Sequence, residues 1–207
     1  LMSKHLIIPD VQFKPGVPAD HLTWAGKFIA AKRPDVIVCI GDFADMESLS
    51  SYDVGKKSFE GRRYKLDVAA ARRGMELLLS PFRNIKGYKP KMVLTLGNHE
   101  DRINRVVESD PKWEGIVTLD DLQYKESGWK VVPYLEPIII DGVAYCHYFT
   151  SGILGKPVTS AAAMVSKKHQ SCVMGHVQGR QIAYGTRADG KQITGLFVGG
   201  FYQHDEA

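Results

Sequence analysis

The feature that most constrains this chain is a recurring short apolar run, rich in β-branched residues, that stops at Gly or Asp. Longer helix-patterned stretches separate the first three such runs, and that alternation is the pattern of βαβ units. Residues 4–9 predict a first strand that delivers Asp10 at its C-terminal end. Residues 20–32 predict a helix with Asp20 as N-cap, closed before Pro34. A second strand over 35–40 ends in Gly41-Asp42, and a helix over 62–79 is expected from the spacing of Leu66, Ala69, Ala70, Arg73 and Leu77. Residues 91–96 predict a third strand, ending in Gly97-Asn98-His99-Glu100.

The second half changes character. Residues 137–147 are two apolar runs joined by Asp141-Gly142, the strongest short hairpin signal, because that dipeptide accepts the positive φ angles of a tight turn. A helix over 158–169, a strand over 171–174 ending in Gly175-His176, and a hairpin over 181–199 around residues 188–191 follow. Hairpins beside βαβ units imply a mixed sheet or two stacked sheets with helices outside.

At 207 residues and 44% hydrophobic content, residues 1–207 suit one domain with a sizeable core. No apolar stretch approaches the roughly 18 residues of a membrane span, and no cleavage-site pattern follows the first residues, so membrane and secreted readings are disfavoured. Cys39, Cys146 and Cys172 lie singly inside apolar runs, which predicts reduced, buried thiols and a cytoplasmic chain. Residues 56–73 hold seven basic residues against two acidic ones. Such a run is either a solvated helix face or a contact surface for a polyanion such as nucleic acid.

Five of the predicted strands end in a polar cluster: Asp10-x-Gln12, Gly41-Asp42-x-x-Asp45, Gly97-Asn98-His99-Glu100, His147, and Gly175-His176-x-Gln178. In an open α/β sheet the C-terminal strand ends line one crevice, so residues remote in sequence converge there. Carboxylate, amide and imidazole groups in one crevice suit divalent cations, and a set this large suits a pair of ions about 3.5–4 Å apart. Any one of these residues alone is more simply a turn former or helix cap; the succession of five is what carries weight.

This succession resembles the calcineurin-like metallophosphoesterase superfamily, whose pattern is D-x-H, G-D-x-x-D, G-N-H-[ED], a single His, and G-H-x-H. The resemblance spans Asp10 to Gln178 and implies a four-layer αββα sandwich of two mixed β-sheets flanked by helices. It implies Asp42 as the carboxylate bridging two metals, Asp10 in the first site, and Asn98, His147 and His176 in the second. His99 would be the proton donor to the leaving group and Asp45 would hold its ring, with hydrolysis by a hydroxide held between the ions.

Two departures are coupled. Gln12 and Gln178 stand where the pattern has imidazoles, both at the first metal position. A carboxamide oxygen is a harder, weaker donor, so that site should favour Mn²⁺ or Mg²⁺ over Zn²⁺ or Fe and hold its ion loosely. Met46 replaces an arginine of the protein phosphatase branch, which leaves Arg102 or Arg105 as the candidate substrate cation. Arg102 and Asn98 are therefore expected at the substrate. The Gly-Lys pair at 155–156 lacks P-loop spacing, and His204 near the end of the chain is more simply a surface residue than a ligand. The expected activity is hydrolysis of a phosphoester in a nucleotide or nucleic acid. Phosphoprotein phosphatase action, or a silent nucleic-acid-binding module on the same scaffold, is the alternative.

Overall fold

The computed structural model describes residues 3–203. It is an α/β fold with strands β1 (His5–Ile8), β2 (Val36–Cys39), β3 (Lys91–Thr95), β4 (Lys130–Val132), β5 (Ile138–Ile140), β6 (Val143–Cys146), β7 (Thr150–Ser151), β8 (Lys156–Pro157), β9 (Ser171–Met174), β10 (Gln181–Thr186) and β11 (Gln192–Phe197). The α-helices are α1 (Asp20–Lys32), α2 (Tyr64–Leu79), α3 (Arg102–Ser109) and α4 (Ala161–Lys168).

Strands β1 to β4 form a four-stranded sheet in sequence order, and every pairing in it is parallel. The expectation of two mixed sheets therefore holds for the second alone. Its order is β10-β11-β9-β6-β5, with parallel pairs at β11/β9 and β9/β6 and antiparallel pairs at the two edges. The first sheet is parallel because each connection within it crosses over through helical turns. The second has hairpin connections at both ends, and these reverse the chain.

Three apolar clusters account for the packing. Leu22 and Ile29 of α1 and Ala71, Met75, Leu78 and Leu79 of α2 pack with Ile8, Ile37, Cys39 and Leu94 on one face of the first sheet. Val36, Val38, Val93 and Val132 of that sheet meet Ile140, Tyr145 and Val173 of the second. Ala161 and Met164 of α4 pack with Ala144, Cys146, Cys172 and Phe197 of the second sheet. The continuous burial of Val36–Cys39 explains why that strand reads as an unbroken apolar run.

Several local expectations need correction. Helix α1 starts on Asp20 rather than after it, with Ala19 at the cap position. In α2 the buried stripe runs through Val68, Ala71, Met75 and Leu78, while Leu66 is exposed. Counting the stripe from Leu66 shifts the apolar face around the helix, because the start of the run is set by packing and not by the periodicity itself. Helix α4 is shorter than 158–169, since Ser160 caps it by accepting from the Ala163 amide at 3.1 Å. The hairpin at Asp141-Gly142 forms as expected, with φ of 49° and 79°. The three cysteines are free and buried. No helix among the described residues is long and apolar enough to cross a membrane.

Candidate metal centre

The strand ends bring the polar clusters to one place by backbone bonding between loops. The amide of Gln12 donates to the Asp42 carbonyl at 2.8 Å, and the Gly175 amide donates to the His147 carbonyl at 2.9 Å. One ligand atom from each of Asp42, His147 and His176 lies within 4.8 Å of the others. His147 Nε2 is 3.2 Å from Asp42 Oδ2 and 2.9 Å from Asn98 Oδ1, and His176 Nδ1 is 2.8 Å from that same amide oxygen. Asp10 joins them through Oδ1, which accepts from the His176 amide at 3.1 Å.

Three glycines create the space. A Cβ on Gly97 would lie 2.0 Å from Asp42 Oδ1 and 2.3 Å from the Asp42 amide nitrogen. One on Gly41 would lie 2.6 Å from His147 Nδ1, and one on Gly175 would lie 2.4 Å from Asp10 Oδ1. Each of these glycines thus borders a different polar side chain of the cluster. Gly97→Ala is expected to cost about 1–3 kcal/mol by forcing backbone apart, and to move Asp42 out of the cluster. Urea unfolding checks it, and an alanine accepted at no cost would show that this contact has slack.

The backbone carries strain at the same place. Gln12, Asp42, Met46 and His176 all have positive φ, at 45°, 51°, 53° and 63°. Residues other than glycine avoid this region, and such departures gather where side chains must be aimed.

The electrostatics are those of charges crowded out of water. Burial, together with the charge on Asp42, pushes Asp10 up to about 7. Asp42 is also fully buried, but the His147 and His99 rings hold it well below the ordinary carboxylate range. His147 is raised to about 9 against its own burial, chiefly by the Asp42 charge. Protons on these groups therefore balance the negative charge, and a divalent cation bound among them would displace those protons.

A test of whether the residues fit a cation rests on three features. Asp10 Oδ2 and Gln12 Oε1 are buried oxygens with no hydrogen-bond partner. The Nδ1 of His147 sits 2.9 Å from the Ile40 carbonyl, and donation there leaves the Nε2 lone pair facing Asp42 and Asn98. That is the orientation in which a carbonyl fixes a metal-binding imidazole. Finally, the donor set of carboxylates, amide oxygens and imidazoles is one that Mn²⁺, Mg²⁺ or Zn²⁺ accepts. The residues fit.

His99 stands at the edge. Its amide donates to Asp42 Oδ1 at 2.9 Å, and its Nδ1 is 2.9 Å from both the carbonyl and Oδ1 of Asp45. Nε2 is free of Asp45 and lies 3.8 Å from Asp42 Oδ2. Asp45 also receives Lys14 at 3.1 Å and Arg102 at 3.2 Å.

Of the residues singled out from sequence, Asp10, Gln12, Asp42, Asn98, His147 and His176 come together, with His99 and Asp45 beside them. Gln178 is exposed, and its amide oxygen lies against Gly200, one residue before Phe201, whose amide donates to the Asp10 carbonyl. Arg102 lines the crevice, but its Nη1 is committed to the Asp45 and Met46 carbonyls at 2.8 and 3.3 Å. Arg105 holds the Asn98 carbonyl at 2.8 Å. His204 lies outside the described residues.

Two groups escaped the sequence reading. Glu100 is wholly buried and anchors the loop that carries Asp42. Tyr148 lies 4.7 Å from the His176 ring, centroid to centroid, and its hydroxyl is 2.8 Å from that of Tyr134. The Glu in Gly-Asn-His-Glu was visible, but nothing in its spacing told a metal ligand from an anchor.

The basic run is partly spent internally. Arg62 pairs with Asp53 at 2.7 Å and Glu47 at 3.5 Å, and Arg72 donates to the Asp121 carbonyl at 2.7 Å. Lys57, Arg63, Lys65 and Arg73 stay exposed. A scan against protein-family models and a search of curated proteins each return no match.

Proposed function

We propose that the chain is a metal-dependent phosphoester hydrolase of the calcineurin-like metallophosphoesterase type, with two sheets and their helices in the four-layer αββα order. The observation that carries this reading is the convergence of Asp42, Asn98, His147 and His176, with Asp10 and Gln12 contributing buried oxygens that have no other partner.

Asn98, His147 and His176 would hold one cation, Asp10 and Gln12 another, and Asp42 both. Divalent cations there supply charge neutralisation at the phosphoryl oxygens and a water acidic enough to attack at neutral pH. The remaining steps belong to the chain itself. His99 Nε2, 3.8 Å from Asp42 Oδ2, would give a proton to the departing oxygen. Asp45 keeps the ring oriented through Nδ1 and stabilises its charged form. Arg102 keeps Nη1 on Asp45 and Met46, and its Nη2, 3.4 Å from His99 Nε2, opposes the charged form of that ring, which the Asp42 and Asp45 carboxylates outweigh. The expected substrate is a phosphoester of a nucleotide or nucleic acid.

Turnover of bis-p-nitrophenyl phosphate against p-nitrophenyl phosphate, with and without chelator, tests the activity. Absence of metal-stimulated turnover on both would overturn the proposal. A separate readout addresses the cations. With Gln12 and Gln178 in place of imidazoles, the first position offers mainly oxygen donors, so Mn²⁺ or Mg²⁺ should activate at higher concentration than the second position requires. At 100 times Kd an ion stabilises the fold by about 2.7 kcal/mol, a rise of roughly 5–11 °C in Tm for a chain of this size. Asp42→Asn should erase most of that rise. Two equally tight zinc ions would contradict the oxygen-rich first position.

A further inference from the structure

Beside the metal centre is a crevice of about 250 Å³, lined in part by Asn98, His176, Tyr148, Arg105 and Tyr52. That volume is at the small end for ligand sites, enough for one compact unit of a substrate and no more. Anything longer must leave over the rim, and the rim has a particular chemistry. Tyr52 lines the crevice yet is 80% exposed, so its ring packs against little of the protein. The loop that carries it continues into exposed Lys57. The hairpin of β7 and β8 also borders the crevice, where Pro157 lines it and Lys156 is exposed. Residues 150–170 contain three lysines and no carboxylate.

An exposed aromatic ring with a free lysine at the rim on either loop, Lys57 beyond the Lys56–Asp53 pair and Lys156 on the hairpin, is the combination that holds single-stranded nucleic acid, whose unpaired bases stack while its backbone follows the positive charge. A mononucleotide would leave the outer lysines without a partner, since its phosphate lies at the metal centre. A duplex would keep its bases away from the ring. We propose that the crevice binds single-stranded nucleic acid, with one phosphoester at Asn98 and His176, a base stacked on Tyr52, and the outgoing backbone passing Lys57 and Lys156. This rests on the phosphoester reading of the metal centre for its orientation, while its own test is a binding measurement made without metal.

Fluorescence anisotropy with a labelled ten-nucleotide oligo-dT in chelator is the experiment. Stacking on one aromatic ring contributes about 1–3 kcal/mol, so Tyr52→Ala should weaken binding roughly 5- to 150-fold. Tyr52→Phe should bind like the parent chain. The slope of log K against log salt should fall in magnitude by about 0.7 for each of Lys57→Ala and Lys156→Ala. Both side chains are exposed, and circular dichroism verifies that the variants fold. Binding unaltered by Tyr52→Ala would overturn the proposal, as would duplex held as tightly as the single strand. A phosphopeptide preferred over the oligonucleotide would also overturn it. If instead the oligonucleotide results hold and no metal-stimulated hydrolysis is found, the hydrolase reading alone fails.

Discussion

Hydrolysis of an alkyl phosphoester by the His99→Ala variant is expected to be slower by roughly 10²–10⁴-fold, the range of a positioned general acid, while p-nitrophenyl esters lose far less. The difference follows from the leaving group. An alkoxide needs a proton as its bond to phosphorus breaks, whereas p-nitrophenolate departs as a stable anion. In the structure Asp45 engages His99 Nδ1 at 2.9 Å, which leaves Nε2 on the Asp42 side as the nitrogen able to transfer a proton. Burial alone would lower the affinity of this ring for its proton, but Asp42 and Asp45 outweigh it and raise the pKa above the ordinary 6.5. A raised value means that the acid form persists to higher pH, so activity on the alkyl ester should fall as pH climbs through it. Asp45→Asn removes one of the two charges, and the alkaline limb should move to lower pH. If His99→Ala slowed both kinds of ester equally, the imidazole would be acting on binding or phosphoryl charge and not as an acid.

How much of this was legible in the sequence depends on what fixed each feature. The strands that carry Asp10, Asp42 and His99 are bounded by residues that forbid continuation, and their ends lie within a residue or two of the expected positions. Asp141-Gly142 forced its turn, because few other pairs accept two positive φ angles. Strand β4 went unseen, since Lys130–Val132 is three residues long and owes its place to pairing with β3, not to its own pattern. The convergence of the polar cluster was readable because each member follows a strand end. Gln178 sits in the expected register too, yet its side chain is exposed and lies against Gly200. Side-chain direction in a loop is set by its local φ and ψ, and residue type does not reveal those. Tyr52 and Tyr148 carry no spacing signal at all; only the fold puts them beside Asn98.

Removing the carboxylate of Glu100 should be the most destabilising single change near the site. Its Oε1 accepts from the amides of Phe43 and Ala44 at 2.8 and 3.0 Å and from the Tyr124 hydroxyl at 3.2 Å. Oε2 accepts from the amides of Asp42 and Gly97 at 3.0 and 2.9 Å. Burial and the nearby Asp42 charge push Glu100 upward, while the amide donors oppose them. All five partners are donors, which favours the ionised form, since a neutral acid would have to turn its own O–H toward one of them. Glu100→Ala leaves four amide N–H groups buried without an acceptor. Each unpaired group costs about 1–3 kcal/mol, and with partial relaxation the total is expected near 4 kcal/mol, or roughly 8–16 °C in Tm. That is a large share of the 5–15 kcal/mol typical of a whole domain. Glu100→Gln is the sharper test, because it is isosteric. Its NH₂ must face amide donors whichever way the side chain is turned, so it should cost nearly as much as alanine. Urea unfolding followed by circular dichroism measures both. A glutamine variant within about 1 kcal/mol of the parent would mean that the loop does not depend on the negative charge. With the loss as expected, the folded fraction should also bind Mn²⁺ more weakly, because three amides from Asp42 to Ala44 lose their shared acceptor and the Gln12, Phe13 and His99 amides remain to hold that segment.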